Sequence, residues 1–195
     1  LRAALDSFSE AGFGGAKTRD IAARAGVTLG LLQYHYGSKA KLWRAAVDRA
    51  FVDLERGLDE ATAGAGAGNL REQLRRLIRA QVRFVGANPE FVRLMHEEGK
   101  RRGERMRWLV DRHAKPLFDK LLPLMAQAQQ QGLLPNGVAP IHFAYTLLGA
   151  IDLIFHQAEE CKRLSGIDPT DSKEIEAHAR AVEHLFLGPP PEESH

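Results

Sequence analysis

The sequence predicts an all-α fold in two parts, and three observations predict it. Apolar residues recur every three or four positions through most of the 195 residues, which is the spacing of one helix face. No convincing run of alternating residues marks a strand. A low-complexity stretch, Ala61 to Asn69, interrupts the helical pattern with three glycines and places a boundary near residues 60–69. The expected division is 1–57 for the first domain, 58–69 for a connecting loop, 70–187 for the second domain and 188–195 for a flexible tail.

The elements follow in order. Leu1, Ala4, Leu5, Phe8 and Ala11 form one helix face, and Gly12 stops that helix. Thr18 is placed to cap a short helix ending near Ala25, with Ile21 and Ala22 facing inward. Gly26-Val27 makes a turn, and Thr28 caps a second short helix running to about Tyr36. Ser38 caps a longer helix to about Gly57, with Leu42, Ala45, Ala46, Phe51 and Leu54 inside. Beyond the loop, Leu70 to Val85 is amphipathic until Asn88-Pro89 breaks it, and Glu90 to about Gly103 continues. Glu104 to Gln131 reads as one long helix with kinks at Pro116 and Pro123. Val138 to Arg163 is apolar nearly all round in its middle, so it is expected to be buried. A last helix starts from Asp171 or Ser172 and presents Ile175, Ala179, Val182, Leu185 and Phe186 on one side.

Composition bounds the function. At 44% hydrophobic and 27% charged, the chain has the make-up of a soluble globular protein with room for a real core. The lone Cys161 excludes a disulfide framework and a cysteine-rich zinc site, and fits a reducing, cytoplasmic setting. The most apolar window, Ile141 to Phe155, contains His142 and Asp152 and is too short for a membrane span. Asp6 and Glu10 interrupt what would otherwise open a signal peptide. The chain starts with Leu1, inside a helical pattern, so preceding residues are expected to be missing. The net charge of +2 conceals segregation: residues 1–57 balance at +3, 70–120 at +7 and 121–195 at −6. Faces of opposite sign suit different partners, although a solvated charged surface gives the same pattern.

Residues 18–39, TRDIAARAGVTLGLLQYHYGSK, have the grammar of a helix-turn-helix: two short capped helices, a glycine-containing turn, and alanines where helices approach closely. In that motif the second helix enters the major groove and its N-terminal residues face base edges. Thr28 offers a hydroxyl there, Gly30 permits close backbone approach, and Gln33 has the amide that pairs bidentately with adenine. Tyr34, His35 and Lys39 are donors for phosphate, and Lys17 and Arg19 flank the start of the first short helix.

The segment resembles the DNA-binding domain of the TetR family of bacterial transcriptional regulators. The likeness runs from FSEAGF through TRDIAARAGVTLGLL to HYGSK and spans roughly residues 1–55. Three features depart from the family pattern: Gln33 stands where tyrosine is common, Gly37 where proline is common, and the basic residues before the first helix are absent. The resemblance implies a three-helix DNA-binding domain followed by a helical ligand-binding and dimerisation domain. It also implies an Ω-shaped homodimer that binds a palindromic operator in double-stranded DNA and lets go when a small molecule occupies each core. Carried across residue by residue, it makes Thr18, Gln33, Tyr34, His35 and Lys39 phosphate or mixed contacts. Arg19, Thr28, Leu29 and Gly30 become base-edge contacts. Thr18 and Thr28 are also readable as N-caps, a role that can coexist with DNA contact, and His35 as a residue packed within its domain.

For the second domain the sequence supports a ligand site only by inference from an apolar lining with a few polar anchors. The candidates are Phe84, Phe91, Met95, Trp108, Phe118, Leu122, Phe143, Leu147 and Ile151, with His96, His113, His142 and Asp152 as polar groups. For each apolar member ordinary core is the favoured reading. Asp152 needs a partner for its carboxylate, supplied by a ligand or across a dimer interface. The basic run Lys100-Arg101-Arg102 with Arg105 and Arg107 is a solvated face, an extension of the positive surface near DNA, or an attractor of an acidic ligand such as an acyl thioester. The segments 138–163 and 171–187 resemble the pair that forms the family's dimer bundle, and no membrane partner is expected.

No His-Glu-x-x-His, phosphate loop, nucleophile elbow or dinucleotide fingerprint occurs, so no enzyme, cofactor or metal is expected. The remaining rival is a helical protein-interaction module that does not bind DNA. Salt-dependent operator binding separates the two, because phosphate contacts release counterions.

Overall fold

The computed structural model describes residues 1–63 and 69–189. Among these it contains helices and turns and no strand. The helices are α1 (Arg2–Gly15), α2 (Thr18–Arg24), α3 (Leu29–Tyr36), α4 (Lys39–Ala63), α5 (Leu70–Ala87), α6 (Pro89–Gly99), α7 (Glu104–Leu109), α8 (Lys115–Gln130), α9 (Pro140–His156), α10 (Ala158–Ser165) and α11 (Ser172–Leu187). They divide into two compact units. The first comprises Leu1–Glu55 with Asn88–His113, the second Arg56–Ala87 with Ala114–His195. Helix α4 therefore supplies residues to both units, while α6 and α7, which follow the low-complexity stretch in sequence, belong to the first.

In the first unit the faces read from periodicity meet in one core. Phe8 of α1, Ile21 of α2, Leu42, Trp43 and Val47 of α4, and Val92 of α6 are all almost fully buried. Aromatic edges lock it: Trp43 meets Trp108 with centroids 5.5 Å apart, and Phe51 meets Phe91 at 5.2 Å, geometries favoured by the ring quadrupole. Buried His113 stacks on Phe51 at 4.3 Å and places Nε2 2.9 Å from Asp48 Oδ1. Burial pushes the His113 pKa below its ordinary value against the pull of Asp48, so the ring is a neutral core group.

The second unit is built around α5. Its face Leu74, Ile78, Val82 and Val85 is buried against α9 and α11. Gly86 allows the closest approach, since a Cβ there would stand 2.7 Å from Ile175. Along the rim Arg79 bonds Glu183 at 2.6 Å and Arg83 bonds Glu176 through two nitrogens.

Several boundaries differ from the sequence reading. Helix α4 runs on to Ala63, through half of the expected connecting loop; positions 64–68 lie outside the described residues, as does most of the expected tail. Thr18 does not cap α2: Lys17, with extended backbone, is the cap residue and Thr18 is already helical. Thr28 and Ser38 do cap, accepting from the N–H groups of Leu31 and Lys41. The expected long helix from 104 to 131 is divided by a π turn, Val110–Ala114. Pro116 explains it, because its ring has no N–H for the Arg112 carbonyl and would clash with it in an ordinary turn. Pro123, by contrast, is carried inside α8. The expected helix 138–163 is two helices, broken where Gln157 leaves helical geometry. Its middle is not buried all round: Tyr145 and Leu153 are more than half exposed.

Candidate nucleic-acid interface and ligand cavity

The turn between α2 and α3 is closed by Gly26 at positive φ and by the Val27 N–H donating to the Ala22 carbonyl at 3.0 Å. It leaves α3 anchored by a single buried side chain, Leu32. Leu29 and Tyr36 at its two ends are half-buried, and the rest of the helix is exposed. Gln33, Tyr34 and His35 are exposed, Tyr34 at 84%. Thr28 and Gly30 are exposed at the N-terminal end, with Leu29 half-buried beside them. At the other end Gly37, with φ of 68°, donates to the Gln33 carbonyl and turns the chain into α4. The glycine found where the family commonly has proline thus serves as the helix stop.

Arg19 is exposed and Thr18 half-buried. Lys39, at the start of α4, donates from Nζ to the Gly14 carbonyl at 3.2 Å and lies 5.0 Å over the Phe13 ring. An ammonium has three donors, so this anchoring leaves capacity for a phosphate oxygen. The sequence reading passed over Lys41, exposed two residues further along the first turn of α4; that place beside Lys39 was the available signal.

The second unit encloses a cavity of about 90 Å³. It is lined from α5 by Leu74, Leu77, Ile78 and Gln81, from α8 by Leu117, Phe118, Leu121 and Met125, and from α9 by Phe143, Leu147 and Ile151. Gln81 is the one polar side chain in that lining. Four expected ligand residues, Phe118, Phe143, Leu147 and Ile151, are brought together here. Phe84 and Asp152 of the same unit are not part of the wall, nor are Leu122 and His142. Phe91, Met95, His96, Trp108 and His113 belong to the first unit, where Phe91 and His113 are buried and Trp108 is half-buried against Trp43. The α5 wall went unnoticed as a lining, although its spacing of three, four and seven residues was legible. Asp152 sits on α9 with its pKa raised to about 6 by desolvation.

Alongside, α9, α10 and α11 carry exposed apolar side chains: Tyr145, Leu153, Leu164 and Leu185. Among the described residues no helix is long and apolar enough to cross a membrane.

An exposed short helix seated on a small helical core, with an apolar cavity in a second helical unit, defines a helix-turn-helix DNA-binding regulator with a ligand-binding domain. Comparison with known proteins agrees. Residues 1–46 match the family described as bacterial regulatory proteins, tetR family, and residues 71–185 the tetracyclin repressor-like C-terminal domain. The chain belongs to the TetR family of bacterial transcriptional regulators. It is 24% identical over 153 residues to the HTH-type transcriptional repressor NicS of Pseudomonas putida, covering 77% of this chain and 71% of that one. Among solved structures, AibR in complex with isovaleryl coenzyme A and operator DNA is similar in fold. Its TM-score is 0.66 at 23% identity, covering 97% of this chain and 98% of that one. The fatty acid degradation regulator FadR from Bacillus halodurans gives a TM-score of 0.68 at 18% identity, covering 96% of each chain.

Proposed function

We propose that this protein is a cytoplasmic, ligand-responsive repressor that binds a palindromic operator as a homodimer and is released by a small-molecule inducer. The observation that carries the reading is α3: one buried leucine holds it, and Gln33, Tyr34 and His35 stand exposed. Thr28, Leu29, Gly30 and Arg19 meet base edges, while Thr18, Gln33, Tyr34, His35 and Lys39 meet phosphates or both. The exposed apolar side chains of α9, α10 and α11 form the dimer contact. The charge balance of −6 over residues 121–195 disfavours DNA there.

The inducer carries an uncharged hydrocarbon part. A cavity walled by leucines and phenylalanines offers one amide and no charged side chain, so an ionised group inside it would lose its hydration without compensation. An acyl group fits that requirement, in line with the isovaleryl coenzyme A complex of AibR. Release is a population shift. A dimer reaches two half-sites only when its recognition helices stand about 34–36 Å apart, or a multiple of it. A ligand that binds another spacing more tightly draws the protein off DNA. Helix α4 contributes to both units and carries the coupling.

A gel shift on DNA flanking the protein's own gene, at two salt concentrations, tests the reading. Wild type should bind a palindrome in a salt-sensitive manner and Gln33→Ala/Lys39→Ala should not. Equal binding by both proteins, or none by either, contradicts it.

A further inference from the structure

The basic run Lys100-Arg101-Arg102 closes α6 and the turn after it, and nothing in the proposed function uses it. Its surroundings in the first unit are specific. Helix α6 packs along α1, and Gly12, at φ of +66°, lies beneath the Arg101 guanidinium: a side chain at that glycine would meet Arg101 at 3.8 Å. The next residue, Phe13, holds two cations against its ring, Lys39 at 5.0 Å and Arg105 at 4.2 Å from the centroid. Lys39 also donates to the carbonyl of Gly14. Residues 12–14 of α1 therefore gather Arg101, Arg105 and Lys39 around one short stretch of backbone, and Lys39 is a proposed phosphate contact.

The acidic groups nearby do not neutralise this cluster evenly. Arg105 is held by buried Glu98 at 3.2 Å, and Arg44 by Glu104 at 2.8 Å. Arg101 meets Glu97 only at 4.0 Å, while Arg102 and Lys17 are exposed. Arg101 shares the short 12–14 stretch of α1 with Lys39, and Arg102 follows it directly in the exposed turn after α6.

We propose that Arg101 and Arg102 bind backbone phosphates of the DNA flanking each half-site, as a second phosphate-binding element outside the helix-turn-helix. Guanidinium forks match phosphate oxygens. The contact carries no base information and adds affinity through counterion release. It rests on operator binding by α3 and extends the protein's grip beyond that helix.

The test is a titration of a labelled duplex, selected from random DNA by the wild-type protein, across a salt series. Each phosphate contact contributes roughly 0.9 to the slope of log affinity against log salt, so Arg101→Ala/Arg102→Ala, removing one or two contacts per protomer, should flatten the dimer's slope by about 2 to 4. Discrimination between the selected duplex and a scrambled one should stay unchanged, and Arg101→Lys/Arg102→Lys should keep the wild-type slope. An unchanged slope in the alanine pair overturns the proposal. So does a slope lost in the lysine pair as well, because that marks a structural effect. If the wild type selects no duplex at all, operator binding itself fails, and this inference with it.

Discussion

Thr28 shows how a single side chain serves fold and surface together. Its hydroxyl accepts the Leu31 N–H at 3.1 Å while the residue stays exposed at the leading end of α3. Thr28→Ala should lower stability by about 1 kcal/mol, read by thermal denaturation, and Thr28→Ser should restore most of it. Two titrating groups pull stability in opposite directions. Asp152 has its pKa raised from 3.8 to about 6, so the folded chain holds that proton more tightly than the unfolded one. Its stabilising contribution is full below pH 3.8 and is lost as pH rises through about 6. His113 is lowered from 6.5 by burial, so its contribution is present above pH 6.5 and is lost as pH falls below it. Asp152→Asn should therefore stabilise the protein at pH 7, by at most about 3 kcal/mol from the size of the shift. It should also leave a denaturation profile that only weakens as pH falls through the histidine range. A variant no more stable than wild type at pH 7 would show that desolvation of this carboxylate costs the fold nothing.

At the scale of elements, periodicity and capping residues carried most of the information. The faces of α4 and α5 largely follow the apolar spacing, because a helix buries its stripe wherever its partner comes from. By contrast, Leu1 and Ala11 of the expected first face and Leu185 of the expected last one are exposed. Local exceptions came from causes the pattern does not hold. The π turn before Pro116 is a response to a missing N–H, and Lys17 displaced Thr18 as the α2 cap because the backbone there is extended. The break at Gln157 has no glycine or proline to announce it. Gly86 is a packing device of the same scale. Its ideal Cβ would stand 2.7 Å and 2.8 Å from Ile175 and 3.1 Å from Phe155. Gly86→Ala gains about 1 kcal/mol of helix propensity but overpacks the α5–α11 seam at a typical cost of 1 to 3 kcal/mol. Net destabilisation is expected, and chemical denaturation measures it.

At the scale of the molecule, the helix-turn-helix was legible because its function forces its residue types into 22 consecutive positions. The cavity was not, because its wall is assembled from α5, α8 and α9, and periodicity reports that a face is buried without saying what it is buried against. This is why Phe118, Phe143, Leu147 and Ile151 were found among first-unit aromatics such as Phe91 and Trp108. The grouping of α6 and α7 with α1 was hidden for the same reason. Phe51 of α4 meets Phe91 of α6 within the first unit, a contact that sequence separation conceals. Leu147→Trp, which fills the cavity, should preserve operator affinity and abolish release by an acyl inducer, as read by anisotropy of labelled operator. Retained release would move the inducer site elsewhere.

Recovery and sequencing of genomic fragments bound by the wild-type protein bears most directly on the central claim. The account predicts enrichment of an inverted repeat whose half-sites lie about 10 base pairs apart centre to centre, or a multiple of that turn, with enrichment lost in Gln33→Ala/Lys39→Ala. Recovery of no common sequence, or of the same fragments by the variant, would contradict it.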